Sequence, residues 1–294
     1  GYVESSQSKQ SKFLKQLGIK ALNKYKEDDY AKLLFERKRI PLHNEQEIIQ
    51  KYSFRDKALS ATRLKTFLTC KRKYYYKYVH KLGGHEIPRD MPKEYEIGTS
   101  VHTALKHLYI AQNHYDDVKE LKKDLDKELQ SVEGESELDK YLIAMQKKRL
   151  ENFCHKEIAR FQEGWSVAYC EQTFESEFAG IKIVGQIDRI DKKASEISVL
   201  DYKTGSYSLY NKNNYTEATD FQLEFYYLLA SHLGDLRTCA YYDLKESKIV
   251  EESFLHEKIA LLKEHIQNLL KIEEINFSLC EDAANCLYCD YKMI

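Results

Sequence analysis

The 294-residue sequence has only three prolines, three methionines, one tryptophan and eleven glycines, and almost no net charge: 46 Lys and Arg stand against 47 Asp and Glu, leaving −1. A charge balance this even excludes a uniformly basic nucleic-acid coat, so any affinity for nucleic acid has to come from a local patch. No apolar run approaches the ~20 residues that span a bilayer, and Gly1 to Ser6 have no signal-peptide character. The expected location is therefore the cytoplasm, without a membrane partner. The start at Gly1 without Met reads as the remnant of a tag. No proline follows Pro92, so long helices and strands run on without that interruption. No G-x-x-x-x-G-K-[ST] segment occurs, so the chain carries no ATP motor of that kind.

Aromatic residues are abundant instead. With 43% hydrophobic residues, 23 Tyr and 12 Phe, the chain buries a core and is not intrinsically disordered. Seven Cys is an odd number in a chain too large to need disulfides, which favours reduced thiols or a metal site.

Apolar spacing predicts one or two amphipathic helices over 12–40, closed by Pro41, and a polar mixed stretch over 42–57. Residues 1–57 are treated as a helical extension. Ser60 is a good N-cap for a helix carrying Leu64, Phe67 and Leu68, which runs on through Tyr78 to a break at Gly83-Gly84. Helices are expected over 94–113, 117–130 and 138–163. Alternation then predicts strands over 166–178, 181–190 and 196–203, with turns at Gly180 and Asp191–Ser195. A helix over 217–233, strands over 237–244 and 248–254, and a helix over 256–272 follow. The order implies an α/β or α+β layout with a mixed sheet flanked by helices.

The sharpest pattern is Gly185-Gln186-Ile187-Asp188-Arg189-Ile190-Asp191 followed by Leu200-Asp201-Tyr202-Lys203-Thr204-Gly205. Asp201 and Lys203 are two apart on a strand and share a face. A hairpin turn near Lys193 and Ala194 sets Asp188 opposite Val199 and diagonal to Asp201 on that face. Their face-mates Val184, Ile190, Ile197 and Val199 are apolar, so two carboxylates and an ammonium sit among residues that favour burial. Such a group needs mutual pairing or a divalent cation, and two carboxylates suit oxygen-ligated Mg²⁺ or Mn²⁺. A lysine beside them can orient an attacking water, which makes a phosphodiester-hydrolysing site. The plain alternative is a structural Asp–Lys pair on a solvated strand. Glu171, Glu175 and Glu177 of the preceding strand are further acidic candidates, and Asp191 reads as a turn residue.

These segments resemble the PD-(D/E)xK nuclease core, and more narrowly its RecB-like group and the AddB-type C-terminal nuclease domain. The likeness extends over 58–294. Leu59 to Leu64 with Phe67 and Cys70 resembles the opening of that domain, Gly98-Thr99-Ser100-Val101-His102 its G-x-x-x-H motif, and Gln222-Leu223-Glu224-Phe225-Tyr226 its Q-x-x-x-Y motif. The resemblance implies a restriction-endonuclease-like α/β core, with 1–57 as the tail of a preceding helicase-like domain. It implies that His102, Asp188, Asp201 and the Tyr202 carbonyl hold the metal while Lys203 serves catalysis with the two aspartates. Gln222 and Tyr226, one helical turn apart, would brace the site or the DNA strand. Without the family, His102 on a helix with Val101, Leu105 and Leu108 reads as an ordinary core or surface histidine.

Cys286-Leu287-Tyr288-Cys289 near the C-terminus suggests soft-metal ligation. The AddB-type resemblance implies a 4Fe–4S cluster, with Cys70, Cys286 and Cys289 matching three ligands. The family's fourth would fall just past Ile294, which leaves Cys280 as a candidate off the family spacing; a zinc site on the same four, or free thiols, are the alternatives. Cys154, Cys170 and Cys239 read as small core residues. Lys71-Arg72-Lys73 with Tyr74, Tyr75, Tyr76 and Tyr78 suggests either a groove for a strand or, on the plainer reading, a helix with its Tyr face packed.

The function expected is that of a metal-dependent deoxyribonuclease, exonuclease ahead of endonuclease. It would act on single strands supplied by a helicase–nuclease partner subunit in double-strand break repair. The alternatives are a stand-alone exonuclease like the CRISPR-adaptation nucleases, and a non-catalytic DNA-binding module.

Overall fold

The computed structural model describes residues 47–83, 94–134, 136–280, 282, 284–287 and 289–291. The helices expected over 12–40 and the break at Pro41 lie outside these residues. In chain order the elements are β1 (Ile49–Lys51), a 3-10 turn (Phe54–Asp56), α1 (Ala61–Thr69), α2 (Lys71–Tyr74) with a π-helical turn (Tyr75–Val79), α3 (Glu94–Ala111), α4 (Val118–Ser131), α5 (Glu137–Arg149), α6 (Glu151–Gln162), β2 (Ser166–Phe178), β3 (Ile181–Lys193), β4 (Glu196–Lys203), a 3-10 turn (Tyr215–Glu217), α7 (Gln222–Ala230), β5 (Asp235–Asp243), β6 (Lys248–Glu251), α8 (Leu255–Leu269), β7 (Glu274–Asn276) and α9 (Ala284–Leu287). None of the described helices is long and apolar enough to cross a membrane.

Five strands form one mixed sheet in the order β2-β3-β4-β5-β6. All neighbours are antiparallel except β4 and β5, which run parallel across the α7 crossover. Side chains from the two faces feed two apolar layers. Val199 and Ile197 of β4 join Leu64, Phe67, Phe225, Leu229, Leu262 and Ile266 from α1, α7 and α8. Leu200 and Tyr202 join Val101, Leu105, Leu121, Phe153 and Phe161 from α3, α4 and α6. The central strand β4 is accordingly buried on both faces. This is the α/β architecture expected, a mixed sheet flanked by helices.

Several local readings change. The single helix expected over 138–163 is two helices. Leu150 leaves helical backbone (φ −80, ψ 0) and turns its side chain into the core. β3 continues to Lys193, so Asp191 is a buried strand residue and not a turn residue; the turn sits at Ala194, whose φ is +52. The hairpin register therefore pairs Val199 with Ile190 and Leu200 with Arg189. One step further along the same register, Asp188 faces Asp201, not Val199. The helix expected over 217–233 starts only at Gln222. Sequence reasoning missed β1 and β7, which pair antiparallel with each other; Phe54 beside β1 is buried in the core.

The basic–aromatic run packs. Tyr74 is fully buried and meets Phe54, Phe67 and Tyr52 edge-on or tilted at 5.2–5.9 Å. Arg72 is buried, and its Nε donates to the Phe277 carbonyl at 2.7 Å. Tyr74 is core, and Tyr75 and Tyr78, half-buried, pack against it, which is closer to the plainer reading.

Candidate active site

β3, β4, α3 and α7 converge on one end of the sheet. The amide of Tyr202 donates to Oδ2 of Asp188 at 2.9 Å, which ties the carboxylate of β3 to the strand carrying Asp201 and Lys203. His102 arrives from α3 with Nε2 3.1 Å from the Tyr202 carbonyl oxygen and Nδ1 3.3 Å from Asp188 Oδ2. Glu171 of β2 completes the group, its Oε1 3.5 Å from His102 Nδ1. One donor atom each from His102, Glu171 and Asp188 lie within 4.8 Å of one another. Asp201 stands beside this trio and is bonded to Lys203, Oδ2 to Nζ at 2.7 Å.

Lys203 is held from three sides. Its ammonium meets Asp201, donates to Gln222 Oε1 at 3.0 Å and lies 4.8 Å from the centre of the Tyr241 ring. Gln222 Nε2 donates to the Tyr226 hydroxyl at 3.2 Å, and that hydroxyl reaches the Asp201 carboxylate. Gln222 and Tyr226 thus share one face of α7 and anchor the lysine and the aspartate. Two glycines make these approaches possible. A Cβ at Gly98 would come 2.9 Å from Thr204 Oγ1, and one at Gly185 would come 2.8 Å from Leu229 Cδ1, against the helix that carries Tyr226.

The electrostatics call for a cation. Burial, and then the charge of Asp201, push the Asp188 carboxyl up to about 8. Burial likewise raises Asp201, although Lys203 opposes it. Burial alone would discourage charge on His102, but the Glu171 hydrogen bond and the charges of Asp188 and Asp201 outweigh it and raise the imidazole above its ordinary value. Carboxylates crowded into a half-dry site, with an imidazole and a backbone carbonyl beside them, form a hard oxygen and nitrogen donor set. It fits Mg²⁺ or Mn²⁺ and not a soft thiophilic metal. The site opens into a cleft of about 550 Å³ lined by His102, Glu171, Asp188, Lys203 and a stripe of α3.

Two features take their roles only in the fold. Glu171 is one of three strand glutamates of equal standing there. It alone belongs to the trio, and its backbone is left-handed (φ +48) in the middle of β2. Arg189 is fully buried, and its guanidinium donates to Asp191 at 2.6 and 3.0 Å, to Glu157 at 2.5 Å and to the Tyr202 hydroxyl at 3.2 Å. Arg160 of α6 closes the network on Asp191 at 2.7 Å. These charges lie on the face of the sheet away from Lys203 and fix the strand pair from behind.

The cysteines gather elsewhere. Cys70 ends α1 in an extended conformation (φ −156), and its sulfur accepts from the Lys73 amide at 3.4 Å. The Cys280 thiol donates to the Asp282 carbonyl at 3.5 Å, and burial, with Cys70 and Cys286 as neighbours, pushes it up to about 12. Cys289 follows Cys286 in a turn closed by a backbone bond of 3.3 Å. Cys154 and Cys239 are buried core residues as expected, and Cys170 is half-buried.

A curated relative from Carboxydothermus hydrogenoformans, one subunit of an ATP-dependent helicase/deoxyribonuclease, is 28% identical over 209 residues, which is 61% of this chain. The chain spans 19% of that relative's length. Among solved structures, a Eubacterium rectale protein assigned as an exonuclease aligns over 76% of this chain and 86% of its own, at 11% identity and a TM-score of 0.45. Protein VC1899 from Vibrio cholerae aligns over 76% and 57%, at 10% identity and a TM-score of 0.24. The model of the PD-(D/E)XK nuclease superfamily matches residues 58–294, the whole span from the start of α1 through the hairpin to the cysteine-rich end, and the chain belongs to that superfamily.

Proposed function

We propose that this chain is a divalent-metal-dependent deoxyribonuclease that hydrolyses phosphodiester bonds in single-stranded DNA, removing nucleotides from an end. The observation that carries this reading is the meeting of His102, Glu171 and Asp188 within 4.8 Å, beside the Asp201–Lys203 pair, at the floor of an open cleft. His102, Glu171, Asp188, Asp201 and the Tyr202 carbonyl would hold Mg²⁺ or Mn²⁺. The ion would supply Lewis-acid polarisation of a phosphate oxygen and a more acidic water.

The protein's own groups do the rest. Lys203 has three N–H bonds, of which Asp201 and Gln222 take two. The third, beside the Tyr241 ring, would orient the attacking water or meet the charge that develops on phosphorus-bound oxygen. Asp201 and Gln222 hold that ammonium still, so no reorganisation is needed as the charge grows. Arg189, behind the sheet, keeps Tyr202 and hence its carbonyl in register with His102.

In this reading Cys70, Cys280, Cys286 and Cys289 hold a soft metal centre, a 4Fe–4S cluster by family likeness. The centre would staple the start of α2 to the C-terminal segment and take no part in hydrolysis. The Cys280 thiol against Cys70 and Cys286 supports it. The likeness to part of a helicase/deoxyribonuclease supports a helicase partner that feeds single strands during double-strand break repair.

The test is a cleavage assay on single-stranded DNA labelled at either end. Mg²⁺- or Mn²⁺-dependent loss of label that EDTA abolishes is the expected result, with mononucleotides or short oligonucleotides released early. No metal-dependent loss would refute the catalytic reading in favour of a binding-only module. A visible absorbance band near the iron–sulfur range in anaerobic material, absent in Cys70→Ser, tests the cluster separately.

A further inference from the structure

The cleft extends past the metal-binding trio along α3. Thr99, His102, Thr103 and Lys106 are spaced i, i+3, i+4 and i+7, so they form one stripe of the helix, and all four line the cleft. Gly98, which touches Thr204 at the end of β4, and Lys106 are eight residues apart, or about 12 Å along the axis. His102 lies midway. The groove is therefore longer than a single phosphate, and Lys106 stands about one turn beyond the histidine.

The basic side chains of this cleft differ in how they are engaged. His102 faces Asp188 and Glu171, Lys203 is paired with Asp201, and His107 faces Glu128 at 3.6 Å. Among the described residues, Lys106 is the lysine of the cleft with no acidic partner, and it is half-buried. A lysine without an acidic partner in the cleft wall, one helical turn from His102, matches the step from one phosphate to the next along an extended strand.

We propose that Lys106 is a substrate-positioning residue that binds the DNA phosphate adjacent to the scissile one. The inference rests on the nuclease reading for its register, but the contact itself is a binding event that needs no cleavage. Lys106 touches no reacting atom. Its loss should weaken strand binding and leave the chemical step intact.

The experiment is fluorescence anisotropy of a labelled single-stranded oligonucleotide with the full chain in EDTA, across a salt series. Wild type is compared with Lys106→Gln, Lys106→Arg and the exposed control Lys119→Gln on α4. Lys106→Gln is expected to raise Kd on the order of five- to tenfold at low salt and to flatten the log–log salt slope by about 0.7. Lys106→Arg should keep the wild-type slope, and Lys119→Gln should overlay wild type. With Mg²⁺ present, Lys106→Gln should raise KM and hold kcat within about twofold. A Lys106→Gln titration that overlays wild type, or an equal loss in Lys119→Gln, overturns the proposal. If wild type cleaves nothing but the Lys106→Gln binding loss persists, the phosphate site stands and the nuclease reading falls.

Discussion

The backbone amide of Tyr202 donates to the side-chain carboxylate of Asp188 at 2.9 Å. This contact lies just past the last paired residues of the β3–β4 hairpin, Arg189 and Leu200, with Asp188 one residue beyond Arg189 and Tyr202 two beyond Leu200. Where the ladder would continue, a carboxylate accepts the backbone hydrogen bond instead. Asp188 is thereby fixed against the residues on either side of Tyr202, which are Asp201 and Lys203. The candidate site groups on two strands are coupled through one hydrogen bond, and the carbonyl of the same Tyr202 lies 3.1 Å from His102 Nε2.

Glu171 holds a left-handed backbone in the middle of a strand, which costs of order 1–3 kcal/mol for such a residue. Asn tolerates that conformation better than Glu. Glu171→Asn is expected to keep or raise the melting temperature and to weaken Mn²⁺ binding, measured by thermal scan and by calorimetric titration. A stable variant with unchanged Mn²⁺ affinity would remove Glu171 from the metal-binding set.

Arg189 is buried among Asp191, Glu157 and two tyrosine rings, and only its planar fork meets Asp191 twice. Arg189→Lys should leave part of this network unpaired and lower stability by about 3–5 kcal/mol. The urea midpoint should fall with little change in slope. A loss of stability below about 1 kcal/mol would mean that the network is replaceable.

Glu224 of α7 sits in a second buried cluster, with Lys258 of α8 at 2.9 Å. Burial, only partly offset by Lys258, raises its carboxyl from 4.5 to about 7. The folded state then holds this proton more tightly than the unfolded chain. The stability it contributes is complete below the ordinary glutamate range and is lost as pH rises through about 7. Glu224→Gln keeps the neutral form at every pH. The melting temperature of the variant minus that of wild type should therefore grow between about pH 5 and about pH 8, and a constant difference would contradict the account.

The hairpin site could be read from sequence because its signal is local: D-x-K on a strand fixes a shared face by the period of two, and apolar face-mates mark that face as buried. The register was harder. Asp191-Lys192-Lys193 looks like a turn, and it remains strand because Arg189 and Arg160, the latter from a distant helix, neutralise Asp191. Tertiary pairing overrode turn propensity there and moved Asp188 from opposite Val199 to opposite Asp201. Glu171 carried no sequence mark that set it apart from Glu175 and Glu177, because a single positive φ is a tertiary outcome. β1 and β7 are three residues each, too short for alternation to register.

The most direct test separates the metal from the lysine in two variants, Asp201→Asn and Lys203→Ala, each first shown to melt cooperatively. Mn²⁺ affinity and single-stranded DNA cleavage are then measured on both. The account predicts that Asp201→Asn loses affinity and cleavage together, while Lys203→Ala still binds Mn²⁺ and cleaves slower by a factor on the order of 10² to 10⁴. Cleavage at the wild-type rate in either variant would contradict it.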